Sequence, residues 1–180
     1  MKLFFKKINK LKERGGFTMV ETLVAVSIFS ISLLGIMSVL ANGISDTNAA
    51  KRKMIAAYLA QEGIEYIRNK RDTQALSTSW LAFKNEMNQC NGSGINVCDF
   101  VGDEFKRCNE IADCKLYINN NKYDHVVGTD NYSGFTRRVW RADVSGNGTN
   151  ELKVFSEVKW TQGSGEQSVT FSENLFNWIE

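Results

Sequence analysis

The hydrophobic positions of this chain change character twice between its beginning and its end. Residues 17–41 form an apolar run of 25 residues that contains one formal charge, Glu21. In an α-helix this run extends about 38 Å, whereas the hydrocarbon core of a bilayer is about 30 Å thick. The run therefore predicts a transmembrane helix over residues 17–41. The charge of Glu21 within it indicates a function, or a side chain that reaches back to the lipid headgroups.

The spacing becomes helical and amphipathic after this run. Apolar or small residues recur every three to four positions, at Ala56, Ala60, Gly63, Ile64 and Ile67, which is typical of a helix with one buried face. The chain contains no proline, so nothing forces a break, and we expect one helix from Thr18 to Arg71 whose outer part covers residues 42–72. The alternative is a pair of helices joined at Asn42 and Gly43.

Alternation with a period of two begins near residue 135. Residues 135–144 are strand-like, with Trp140, Ala142 and Val144 on one side, and a turn-rich connector follows at 145–150. The next strand buries alternate positions, and a glycine-rich turn at 162–166 leads to a third. Its alternating apolar residues are Leu152, Val154, Val158 and Trp160. Residues 135–180 are thus predicted to form an antiparallel meander, while residues 73–134 form a connecting region without a recognised pattern.

These elements predict an α+β fold in which a long N-terminal α-helix packs on a C-terminal antiparallel β-sheet. The first 16 residues have a net charge of +5, because five lysines and Arg14 outweigh Glu13. Positive residues favour the cytoplasmic side, so the leader is expected inside and the head outside. Removal of the leader changes the net charge from +2 to −3. No nucleic-acid partner is therefore indicated, and Arg137, Arg138 and Arg141 are interpreted as a solvated sheet face.

The sequence Gly16-Phe17-Thr18-Met19-Val20-Glu21-Thr22-Leu23 after a basic leader resembles the class III signal of type IV pilins and type II secretion pseudopilins. The resemblance implies a pilin fold and cleavage between Gly16 and Phe17 by a membrane-embedded prepilin peptidase. It also implies N-methylation of Phe17. In the filament, Glu21 is implied to face the terminal amine of an adjacent subunit. Residues 59–72 and the C-terminal strands are similar to the minor pilins of the pilus-modification (PilV-type) branch.

The resemblance implies a minor subunit that waits in the cytoplasmic membrane and then joins a pilus or a pseudopilus. Its partners would be prepilin peptidase, other pilin or pseudopilin subunits, assembly platform proteins and the membrane itself. A type II secretion pseudopilin is one alternative. A monomeric membrane-anchored adhesin or binding module, whose signal never leads to polymerisation, is another.

The connecting region contains all four cysteines, at positions 90, 98, 108 and 114. Their spacing lacks the paired C-x2-C knuckles of a zinc site. An even number of cysteines outside the cytoplasm favours two disulfides. The local pairs Cys90–Cys98 and Cys108–Cys114 are preferred, although three connectivities are possible.

Candidate catalytic residues are not clustered in the sequence. His125 is the single histidine, and its surroundings are typical of a short strand, so we expect a structural or surface role for it. The chain is accordingly predicted not to be an enzyme and to require no cofactor and no metal.

Overall fold

The computed structural model describes residues 15–92, 96–110, 112–125, 131–144 and 150–178. Most of the basic leader, residues 1–14, and most of the predicted connector, residues 145–149, lie outside the described residues. The chain divides into two compact units, residues 1–46 and residues 47–180. Each is described by itself below.

The first helix, α1, spans Met19–Ser77 and has 59 residues. It begins one residue after the predicted start and continues six residues beyond Arg71. Asn42 and Gly43 lie inside it, so the alternative of two helices joined there is wrong. In the first unit, every described residue of α1 is exposed.

The second unit contains a further short helix, α2 (Trp80–Glu86), and a 3₁₀ helix at Met87–Cys90. Ser79 caps α2, because its side chain accepts a hydrogen bond from the amide of Ala82 at 3.2 Å. A second 3₁₀ turn lies at Ala112–Cys114. The described residues of this unit also form seven strands: β1 (Cys98–Val101), β2 (Glu104–Arg107), β3 (Lys115–Asn119), β4 (Lys122–Asp124), β5 (Tyr132–Asp143), β6 (Glu151–Gln162) and β7 (Gly165–Phe176).

The predicted α+β class is confirmed, but the sheet is larger than expected. Strands β1 to β4 lie in the region that was interpreted as connecting, and β5 begins at Tyr132 rather than Phe135. The four early strands are only three to five residues long, so alternation over so few positions gives little signal.

All described strand pairs are antiparallel. β5, β6 and β7 form the predicted meander, with Val139 opposite Ser156 and Val158 opposite Val169. The other edge of β5 is shared, because β3 pairs with its first half and β1 pairs with it at Val139. β5 is therefore the strand on which the early and late parts of the sheet meet.

The core of the second unit lies between the outer part of α1 and the sheet. The buried positions of α1 are Ala56, Leu59, Ala60, Gly63, Ile64 and Ile67, which include all five predicted ones. Gly63 lies against β6: a Cβ atom there would be 2.3 Å from the Ser156 hydroxyl oxygen. A glycine at this position therefore allows the helix to approach the sheet closely.

The buried face of β5 differs from the expectation. Phe135, Arg137, Val139 and Arg141 face the core, whereas Trp140 and Ala142 are half-buried on the other side. The interpretation of the arginines as a solvated face is wrong for Arg137 and Arg141, which are 2% and 5% exposed.

Candidate functional site

The predicted cleavage junction is an exposed, non-helical segment. Residues 15–18 precede α1 and have no regular secondary structure. Phe17 is 83% exposed, and a Cβ atom at Gly16 would meet no other atom within 4 Å. The bond between Gly16 and Phe17 can therefore be reached by a peptidase without unfolding of the helix.

Thr18 caps the helix that begins after the junction. Its Oγ1 accepts a hydrogen bond from the amide of Glu21 at 3.2 Å, and its carbonyl accepts the first helical bond from the amide of Thr22. A threonine followed three residues later by glutamate has the sequence of a capping box. The carboxylate also lies in the first turn, where it opposes the positive end of the helix dipole. Glu21 thus has a stabilising role within its own chain.

The apolar part of α1 has no protein contact that would cover it in the first unit. Its large side chains from Met19 to Leu40 are 42–88% exposed. Three hydroxyls in this stretch bond to the backbone one turn earlier: Ser27 to Leu23, Ser30 to Val26 and Ser32 to Ile28, each at 2.8 Å. Such bonds satisfy polar groups in an apolar surrounding.

Among the described residues, α1 is the one helix that is long and apolar enough to cross a membrane. With its exposed apolar surface and satisfied hydroxyls, this segment suits a lipid environment.

The structure joins the cysteines in two local pairs, Cys90 with Cys98 and Cys108 with Cys114. These are the pairs preferred from the sequence. The first pair attaches the 3₁₀ helix at Met87–Cys90 to β1, and both of its cysteines are completely buried. The second pair closes the segment between β2 and β3. Both disulfides therefore lie in the region whose fold the sequence pattern did not predict.

A charged network centred on a buried arginine connects α1 to β1 and β5. Arg137 on β5 donates from Nε to both carboxylate oxygens of Asp99 at 2.9 Å, and from Nη1 to Glu62 at 2.6 Å. Its guanidinium carbon lies 3.9 Å from the centre of the Phe100 ring. Asp99 is completely buried. The guanidinium thus links the helix to β1 and holds the charge of a carboxylate that has no access to water.

His125 completes this network and has the structural role that was expected. Its Nε2 lies 2.7 Å from Asp99 Oδ2, and its Nδ1 lies 3.0 Å from the carbonyl oxygen of Lys115. A carbonyl oxygen only accepts, so Nδ1 carries a proton and donates. Both nitrogens of His125 are occupied, and its ring is buried. The residue therefore fastens the end of β4 to β1 and β3.

Tyr66 lies in a cleft beside this network. Its ring stacks on Phe100 with centres 3.9 Å apart, and its hydroxyl is buried without a hydrogen-bond partner among the described residues. Burial, followed by the charges of Asp103 and Glu86, raises the pKa of Tyr66 from 10.0 to about 12.

Arg68 on α1 bonds Glu173 on β7 through Nε and Nη2, at 3.2 and 2.7 Å. This hydrogen bonding to Glu173 raises the pKa of the guanidinium. The pair fixes the helix to the last strand.

This network was not predicted from the sequence. Arg137 lies between the apolar residues Phe135 and Val139, so the alternation of β5 contained a signal for a buried arginine. Asp99 had no comparable signal, because its strand has four residues. The network depends on contacts between residues 26 to 75 positions apart.

Residues 11–37 match the family model described as the prokaryotic N-terminal methylation motif. No curated protein and no solved structure matches the chain. The matched residues include the exposed Gly16–Phe17 junction, Glu21 and most of the apolar run. The chain therefore carries a type IV prepilin-like class III signal, which, with the long apolar helix, supports a pilin- or pseudopilin-like precursor anchored in the membrane by a single span.

Proposed function

We propose that this chain is a minor subunit of a type IV pilus or a pseudopilus, with a structural or initiating role and no enzymatic one. Prepilin peptidase cleaves it after Gly16, Phe17 becomes the methylated N-terminus, and the head lies outside the cytoplasmic membrane. Assembly platform proteins then move the subunit from the membrane into the filament. The motif match supports the processing steps, and the resemblance to minor pilins supports the rest.

The observation that carries this proposal is the exposed apolar stretch of α1 behind an accessible junction. Lipid covers such a surface in the membrane, and only other apolar helices can cover it in a filament. Gly35 fits this role, because a Cβ atom there would meet nothing within 4 Å in the same chain. A neighbouring helix could therefore approach α1 closely at this glycine.

Glu21 has two separable roles in this proposal. Within the chain it occupies the third helical position of a capping-box sequence, and its carboxylate lies in the first turn of α1. Between subunits its carboxylate would neutralise the α-amino group of Phe17. An α-amino group has a reference pKa of about 7.7 to 8.0. Breaking a buried ion pair from one side costs about 3 to 5 kcal/mol, which is sufficient to exclude a subunit from a filament.

Conservative substitution distinguishes the two roles. Glutamine can replace glutamate in a capping box, but it carries no charge. We therefore expect Glu21→Gln and Glu21→Ala to be cleaved normally and yet to be missing from sheared filaments. Thr18→Ala, which removes the cap and keeps the charge, should still assemble. The measurements are mass spectrometry of the N-terminus and immunoblots of filament and membrane fractions, in cells with the whole assembly system.

Incorporation of Glu21→Gln at the wild-type level would show that the charge is not needed, and would contradict the proposed pairing. A cysteine introduced at Val24 separates the assembled subunit from a monomeric anchor. All four natural cysteines are in disulfides, so the new thiol can be cross-linked selectively. A subunit gives cross-links between neighbouring helices, and a monomeric adhesin gives none. Comparing incorporation by pilus and secretion systems distinguishes a pilin from a pseudopilin.

A further inference from the structure

A basic pocket lies in the second unit, between the beginning of its part of α1 and the sheet. Its volume is about 470 Å³, and it is open to solvent. Asn48, Lys51 and Arg52 line it from the helix. Tyr123 and Ser133 line it from β4 and β5. No acidic side chain is among the described residues that line this pocket, so its two positive charges are not compensated there.

Several polar groups of the pocket have no partner in the described part of the chain. No hydrogen bond or ion pair of Lys51, Asn48 or the Tyr123 hydroxyl is present in the described structure. Arg52 uses one nitrogen, Nη1, to donate to the carbonyl of Thr161 at 3.0 Å, which leaves its other donors available. An ammonium, a guanidinium, an amide and a hydroxyl on one open pocket form a donor set that suits an anionic oxygen group, above all a phosphate.

The position of the pocket along the chain indicates the source of that phosphate. The apolar run ends at Ala41, and Lys51 follows it by ten positions, about 15 Å of helix, a gap that the long lysine side chain shortens by extending back towards the headgroups. The polar headgroup region begins where the apolar run ends. Anionic headgroups attract juxtamembrane cations by about 1 kcal/mol for each lysine or arginine.

We propose that the pocket of Lys51 and Arg52 binds the phosphate of an anionic phospholipid headgroup while the chain is anchored in the membrane. The glycerol phosphate carries one negative charge, which the two cations neutralise, and the Asn48 amide and Tyr123 hydroxyl complete its hydrogen bonds. A choline headgroup fits less well, because its own cation would meet Lys51. This inference requires the membrane anchor of the proposed function, but neither cleavage nor assembly.

The test uses the full chain in a mild detergent, titrated with short-chain phosphatidylglycerol and followed by microscale thermophoresis. Lys51→Gln should weaken the apparent affinity about fivefold or more, because it removes a charge-assisted hydrogen bond to the phosphate. Lys53→Gln is the matched control, because it removes the same charge two residues away on the same helix, from a side chain that does not line the pocket. The control should change the affinity less than twofold. A thermal melt of each variant verifies that the head is folded.

Further arms identify the ligand. Phosphatidylcholine should bind at least fivefold more weakly than phosphatidylglycerol, and millimolar inorganic phosphate should compete poorly. Equal losses of affinity in Lys51→Gln and Lys53→Gln would show that general surface charge, and not the pocket, attracts the lipid. This result would overturn the proposal. Equal affinity for the two lipids, or inorganic phosphate binding as tightly as the lipid, would overturn the headgroup assignment. Glu21→Gln should bind the lipid normally. The lipid-binding proposal can therefore fail while the assembly proposal stands, and the assembly proposal can fail while lipid binding is observed.

Discussion

Removal of the Arg137 guanidinium should be the most damaging single charge change in the head. Arg137→Met keeps an unbranched apolar stem but deletes the bonds to Asp99 and Glu62. Asp99 is completely buried, and without Arg137 it retains the contact with His125 and its bond from the amide of Phe100. Leaving one member of a buried ion pair unpaired costs about 3 to 5 kcal/mol. For a unit of 134 residues (47 to 180), this loss lowers the melting temperature by about 10 to 20 °C.

The assay is thermal or urea unfolding of the full chain in detergent, followed by tryptophan fluorescence. The four tryptophans, at positions 80, 140, 160 and 178, all lie in the second unit, so the signal reports on the head. Arg138→Met is the matched control, because it removes the same charge from the next residue of β5, on the opposite face. We expect the control to cost less than about 1 kcal/mol.

A double variant gives the second part of this test. Asp99→Leu combined with Arg137→Met removes both charges, and a buried pair replaced by apolar residues is often tolerated. The double variant should therefore be more stable than Arg137→Met alone. If Arg137→Met unfolds at the same temperature as Arg138→Met, the guanidinium does not compensate a buried carboxylate and the reasoning is wrong.

Two further predictions concern the same unit. The pKa of Tyr66 is raised in the folded state to about 12. The contribution of this shift to the free energy of unfolding is therefore complete below pH 10 and is lost as the pH rises through 12. The alkaline loss of stability should be smaller in Tyr66→Phe, and the phenolate absorbance component with a midpoint near pH 12 should disappear; an unchanged titration would contradict the burial of this hydroxyl. Replacing Cys90 and Cys98 by alanine should cost at least about 2.5 kcal/mol, from the loop entropy of the unfolded chain and the loss of two buried side chains. Unfolding with and without reductant checks this in the wild type, and equal midpoints would show that the disulfides do not stabilise the head.

The features that the sequence predicted correctly are those with a long, repeated signal. The apolar run, the buried face of α1 and the strand around Val154 and Val158 each repeat a pattern over ten or more residues. The class III signal has no repeated pattern, but its basic residues, glycine, aromatic residue and acid lie close together in the sequence. The exposed junction around Gly16 and the capped start of α1 require no distant residue.

The remaining features depend on contacts between distant residues, and the tertiary structure alone decided them. Strands of three to five residues give almost no periodic signal; β1 and β3 form by pairing with β5, and β2 and β4 pair in turn with β1 and β3. The burial of Arg137 depends on Asp99, 38 positions earlier, and on Glu62, 75 positions earlier. A charged side chain is placed in a core only where its partners are brought to meet it. The sequence by itself thus determined the anchor, the prepilin-like signal and the fold class, while long-range pairing determined which face of the sheet is buried and where the basic pocket lies.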